Sequence, residues 1–126
     1  MTVPFKTCLL IDDNYIDNFV TRRVLESNKF AEQIIVRQSP MEAIELLKDG
    51  TVDPDVIFLD IRMPVMNGFE FLHEFDGLDI AKKGIRIYML SSSLDPTDIR
   101  ESADNKYITQ FIHKPLTNKA LEEICL

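Results

Sequence analysis

The chain has 126 residues, 45% of them hydrophobic, which suits one domain with a single core and is too apolar for a disordered segment. Its formal charge of −7 argues against non-specific attraction to nucleic acid or to an anionic membrane face. No secretory leader is visible, no apolar run nears the roughly 20 residues that span a bilayer, and Cys8 and Cys125 lack metal-ligand spacing, so the expectation is a cytoplasmic, soluble domain over 1–126.

Thr7 to Ile11 reads as a first buried strand and ends in the pair Asp12-Asp13. A helix follows from Tyr15 to Ser27, with Asp17 in its first turn and Arg22 and Arg23 later, as the helix dipole prefers. Ile16, Val20 and Val24 recur at helical spacing and predict its core stripe, with Leu25 beside it. Gln33 to Gln38 is a second strand, polar enough to predict an edge position. Ser39-Pro40-Met41-Glu42 starts the next helix: Ser39 as N-cap, Pro40 in the first position, Glu42 closing a capping box. Its buried face is either Met41, Ile44 and Leu47 or Ala43 and Leu47, and Gly50 ends it as a left-handed cap.

Val56 to Leu59 is a continuous apolar run, the pattern of a strand buried on both faces, and it ends in Asp60. Pro64 and Asn67-Gly68 break regular structure beyond it. Phe69, Phe71, Leu72 and Phe75 predict a short helix. Ile85 to Leu90 is a strand running into Ser91-Ser92-Ser93, and Pro96 to Ser102 a short, polar, weakly anchored helix. Tyr107 to His113 is the last strand and meets Lys114-Pro115; Thr117 then caps a terminal helix with Leu121 and Ile124 as its apolar positions. Five strand–helix alternations in so short a chain imply a doubly wound α/β domain, a parallel sheet with helices on both faces.

In such a sheet the C-terminal strand ends share one edge, so Asp12, Asp13, Asp60, Ser91 and Lys114 converge. Three neighbouring carboxylates repel and raise one another's pKa unless a cation is near. Lys114 supplies one positive charge and a hard divalent ion such as Mg²⁺ supplies the rest. That set suits phosphoryl chemistry, with a carboxylate nucleophile forming an aspartyl phosphate and a hydroxyl and a lysine meeting its oxygens. Each feature has an ordinary explanation by itself: aspartates cap helices, serine runs are loops, and Lys-Pro pairs make turns. Those explanations do not account for all of them standing at strand ends on one edge.

Across nearly its whole length the chain resembles the receiver domains of two-component response regulators. The resemblance is carried by LLIDDN around Asp12-Asp13, FLDIRMPVMNG around Asp60, MLSSS ending at Ser93 and FIHKPL around Lys114. It implies a flavodoxin-like five-stranded parallel sheet of order 2-1-3-4-5. It also implies Asp60 as phosphoacceptor, and Mg²⁺ held by Asp12, Asp13, Asp60 and the Arg62 backbone carbonyl. Ser91 matches the switch hydroxyl, Lys114 the lysine that pairs with the phosphoryl group, and Phe111 the switch aromatic, often a tyrosine in the family. The Lys114-Pro115 bond matches one that is cis in the family. The implied partners are a histidine kinase or histidine phosphotransfer protein, docking on the first helix at Tyr15, Ile16 and Phe19, and a downstream protein target.

The resulting expectation is a stand-alone receiver, not an enzyme on other substrates but a phosphoacceptor that assists its own phosphotransfer and dephosphorylation. The alternatives are an interaction module that keeps the fold without phosphorylation, a piece of a larger hybrid protein, and a phosphatase of the haloacid-dehalogenase type. The last class wants a second acid two residues after the nucleophile, where this chain has Arg62. His73 and His113 have no ligand-spaced partners and read as structural or solvent-facing, not as metal ligands. Four glycines include no phosphate-binding G-x-x-x-x-G-K loop.

Overall fold

Short apolar runs rich in branched residues pair side by side into one parallel sheet in the computed structural model, which describes residues 3–125. The strands are β1 (Phe5–Ile11), β2 (Ala31–Arg37), β3 (Val56–Leu59), β4 (Arg86–Ser91) and β5 (Ile108–His113). Between and after them come α1 (Tyr15–Ser27), α2 (Pro40–Lys48), α3 (Gly68–Asp76), α4 (Pro96–Asp104) and α5 (Asn118–Cys125). The order β2-β1-β3-β4-β5 is the expected doubly wound one, with β2 and β5 at the edges. The sheet grows outward from β1 to β2 on one side and from β3 to β5 on the other, so a crevice opens beyond the carboxyl ends of the parallel pair β1 and β3. The two strands are in register there, with Ile11 opposite Leu59. Asp12 and Asp60, the next residues on each, are therefore neighbours.

Alternation along the strands divides the core into two layers. Leu9, Ile57, Leu59 and Met89 face Leu47 of α2 and Phe71 and Phe75 of α3. Leu10, Val56, Phe58 and Leu90 face Leu25 of α1 and Leu121 and Ile124 of α5. Phe30, Phe58 and Tyr88 form an aromatic file across the second layer, with centroids 5.7 and 5.6 Å apart. Cys8 is in the same layer, and burial pushes its thiol far above the ordinary range, so it behaves as a small apolar residue.

α1 corrects the expected stripe. Ile16 and Val20 are exposed and Val24 is only partly covered, while Asn18, Thr21 and Leu25 are buried. Two helical residues differ by about 200°, so position 18 faces opposite to position 16. The inward face is fixed by a buried hydrogen bond, in which Asn18 Nδ2 donates to the Asp12 carbonyl at 2.7 Å. In α2 the buried set is Ala43, Ile44 and Leu47, with Met41 exposed.

Ser39 caps α2 by accepting from the Glu42 N–H, but the Glu42 carboxylate turns to Arg37 at 3.1 Å, so the box is half formed. The complete capping box is at α3, where Asn67 and Glu70 each bond the other's backbone N–H at 2.9 Å. Asn67-Gly68 is therefore a helix start as well as a loop end. Gly50 follows the α2 cap at a φ of 79°, as expected.

Candidate functional site

Strand ends deliver the acids. Asp12 follows β1 and Asp60 follows β3, and both are buried, at 2% and 7% exposure. With the half-buried Asp13 they each offer a carboxylate oxygen within 4.8 Å of the others. The donor set is all hard oxygen, which suits Mg²⁺ and does not suit a thiol- or imidazole-seeking metal. Gly68 of α3 packs on the back of this loop. A Cβ there would collide with the Asp60 carbonyl oxygen and lie 3.1 Å from the Ile61 Cα, so only glycine permits the approach. Between them Val65 holds a φ of 72°, strained for a β-branched residue.

Charge balance at Asp60 is incomplete. Burial and the charge of Asp12 raise its carboxyl to about 6, against the pull of Lys114 and of the Ile61 N–H, which donates to Oδ1 at 2.9 Å. Lys114 enters from the end of β5, where its N–H donates to the Ser91 carbonyl at 2.9 Å and its bond to Pro115 is cis. Its Nζ donates to Asp12 at 2.6 Å and to Asp17 at 2.9 Å, and lies 3.7 Å from Asp60 Oδ2, beyond hydrogen-bond reach. Burial lowers the Lys114 pKa, but the bonds to Asp12 and Asp17 and the charge of Asp60 outweigh it, and the net shift is upward.

Ser91 closes β4, almost fully buried, with its Oγ accepting from the Ser93 N–H at 3.1 Å. Phe111 is half-buried on β5, opposite Met89 and against the first core layer. Tyr15, Ile16 and Phe19 are 74%, 70% and 57% exposed on α1. His73 and His113 face solvent.

Two partners escaped the sequence reading. Asp17 stood only as a first-turn acid, yet it accepts one of the hydrogen bonds that Lys114 Nζ donates. Asp98 on α4 is buried and accepts from the Arg62 guanidinium at 2.6 Å. Its signal was present as Asp98 and Ser102, polar residues one turn apart in a helix without an apolar stripe.

A doubly wound α/β domain with an acid–lysine pocket at its switch point is the class that fold and site define. The chain belongs to the response regulator receiver domain family, whose model it matches over residues 8–125. A two-component response regulator from Cytophaga hutchinsonii superposes with a TM-score of 0.87 at 31% identity, over 95% of this chain and 93% of that one. A response regulator receiver protein from Dyadobacter fermentans gives 0.83 at 32% identity, over 94% of each chain.

Chemotaxis protein CheY of Halobacterium salinarum is 28% identical over 123 residues, covering 94% of this chain and 96% of its own length. Other relatives are much longer than the match. The chain spans 17% of a protein-glutamate methylesterase/protein-glutamine glutaminase of Burkholderia thailandensis, 41% identical over 64 residues, or 51% of this chain. It spans 14% of the sensor histidine kinase CheAY of Helicobacter pylori, 28% identical over 116 residues and 92% of this chain. Among the described residues no helix is long and apolar enough to cross a membrane.

Proposed function

We propose that this receiver domain is a phosphorylation switch that accepts a phosphoryl group from a phosphohistidine donor onto Asp60. The observation that carries this is the arrangement of three carboxylates within 4.8 Å of one another with the Lys114 ammonium 3.7 Å from Asp60. An Asp60 carboxylate oxygen attacks phosphorus, the P–N bond to the donor imidazole breaks, and the imidazole leaves with the bonding pair and takes up a proton. Asp12, Asp13 and Asp60, with the Arg62 carbonyl, would hold Mg²⁺, which when bound offsets negative charge on the phosphoryl oxygens. Lys114 keeps its ammonium aimed into the site through Asp12 and Asp17, leaving a proton free for a phosphoryl oxygen. Ser91 is the hydroxyl for another of those oxygens, and Phe111 fills the space it leaves.

The donor, a histidine kinase or phosphotransfer protein, docks on the exposed apolar face of α1 at Tyr15, Ile16 and Phe19. Output is a changed protein–protein contact with a downstream target. Incubation with acetyl phosphate and Mg²⁺ should label Asp60 alone, located by mass spectrometry. Label that survives Asp60→Asn would overturn the assignment, and failure of the wild type to label at all would favour an interaction module that works without phosphorylation.

A further inference from the structure

α4 is held differently from its neighbours. Its buried residues, Asp98 and Ser102, are both polar, whereas α2, α3 and α5 bury aliphatic or aromatic side chains. Ile99, its one large apolar residue, is exposed. A single atom gathers the bonds of its buried carboxylate. Asp98 Oδ2 accepts from the Arg62 guanidinium at 2.6 Å and from Ser93 Oγ at 2.7 Å. Arg62 comes from the loop after Asp60, and Ser93 from the loop after Ser91. Ser93 is fully engaged: its N–H donates to Ser91 Oγ at 3.1 Å and its Oγ accepts from the Asp95 N–H at 3.2 Å. One carboxylate oxygen thus ties both loops of the candidate site to α4.

We propose that Asp98 is a positioning residue that couples the Asp60 site to α4, through an Arg62–Asp98–Ser93 latch that a phosphoryl group opens. The coupling rests on the reading of Asp60 as phosphoacceptor. A phosphoryl group brings a charge of about −1.5 to −2, two residues from Arg62, and competes for the guanidinium with Asp98 at 2.6 Å and the exposed Asp95 at 3.8 Å. Arg62 is free to respond because its side chain is 64% exposed, whereas the Asp98 side chain is 10% exposed and moves only with its helix. Ser91, turning toward the phosphoryl oxygens, gives up the Ser93 N–H and slackens the second donor. Each event weakens one of the two bonds that satisfy a buried carboxylate, and a buried carboxylate left without them must regain water. α4 lifts to supply it. The same latch holds Ser91 back in the resting state, so it also opposes phosphorylation.

The test compares wild type with Arg62→Gln and Asp98→Asn, using amide hydrogen exchange in α4 without ligand and an NMR titration with beryllofluoride. Arg62→Gln alters an exposed side chain and keeps the experiment informative should Asp98→Asn not fold. Exchange in α4 should speed up roughly tenfold in the variants while the amides of β1 and β3 stay protected. Beryllofluoride should bind about fivefold tighter or more, since the variants no longer spend its binding energy on opening the latch. Unchanged α4 exchange overturns the latch, and faster exchange with wild-type beryllofluoride affinity overturns the coupling. No beryllofluoride binding by the wild type sinks the Asp60 reading and the coupling with it, and the exchange data still judge the latch alone.

Discussion

Burial and the charge of Asp12 leave Asp60 with a carboxyl near 6, well above the ordinary 3.8, despite Lys114. The sign follows from linkage. The folded protein binds this proton more tightly than the unfolded chain, so ionisation of Asp60 counts against folding in full above pH 6. That burden lifts as pH falls from 6 toward 3.8, and below 3.8 nothing more is gained. In metal-free protein, wild type should therefore gain stability relative to Asp60→Asn between pH 7 and pH 5, seen as a narrowing gap in melting temperature. A gap that widens over that interval contradicts the raised carboxyl. Millimolar Mg²⁺ should raise the melting temperature at pH 7, because a cation among three carboxylates favours the folded state. Asp13→Ala should lose most of that rise, and a mutant that keeps it puts the metal elsewhere. The acids and Lys114 were legible because strand topology alone brings them together. Asp17 and Asp98 were not, because their roles depend on where a side chain turns after the helix is placed.

Among the elements, the sheet was the most legible and α1 the least. β3 is apolar at every position and buried on both faces, so its reading had no competitor. The stripe predicted for α1, Ile16-Val20-Val24, carries the two exposed positions Ile16 and Val20. Hydrophobicity marks burial against any partner, including one from another molecule, and cannot by itself say which. Mutations separate the two faces. Leu25→Ala should cost about 2–5 kcal/mol in urea unfolding, as for other core leucines, since Leu25 is fully buried. Ile16→Ala should change stability by less than about 0.5 kcal/mol. The same Ile16→Ala should slow phosphotransfer from a phosphohistidine protein and leave labelling by acetyl phosphate unchanged, because the small donor needs no docking face. Equal slowing with both donors would move Ile16 from docking to the site itself.

Across the whole molecule, the parallel register turns a change at one strand end into a change at the surface. Ser91 lies opposite His113 on β5, and Met89, on the same face two residues earlier, lies opposite Phe111. Phe111 is therefore a diagonal neighbour of Ser91 on the face covered by the first core layer. If Ser91 follows phosphoryl oxygens, it leaves room on that face, and close-packed interiors do not keep voids. Phe111 is half-buried, with ring surface still in water, so turning inward gains apolar burial. That swing changes the surface formed by α4, β5 and α5. The strand order implied by the family resemblance placed Ser91 and Phe111 on adjacent strands, but only the register shift between Ile87 and Tyr88 fixes them as diagonal neighbours. Beryllofluoride, mimicking the phosphoryl group, should shift the amide resonances of α4 and β5 as well as those of the loops around Asp60. Ser91→Ala should keep the loop shifts and lose those at β5, and Phe111→Ala should lose the β5 response while still binding beryllofluoride. Shifts at β5 that survive unchanged in Ser91→Ala would mean that the signal leaves the site without passing through the hydroxyl.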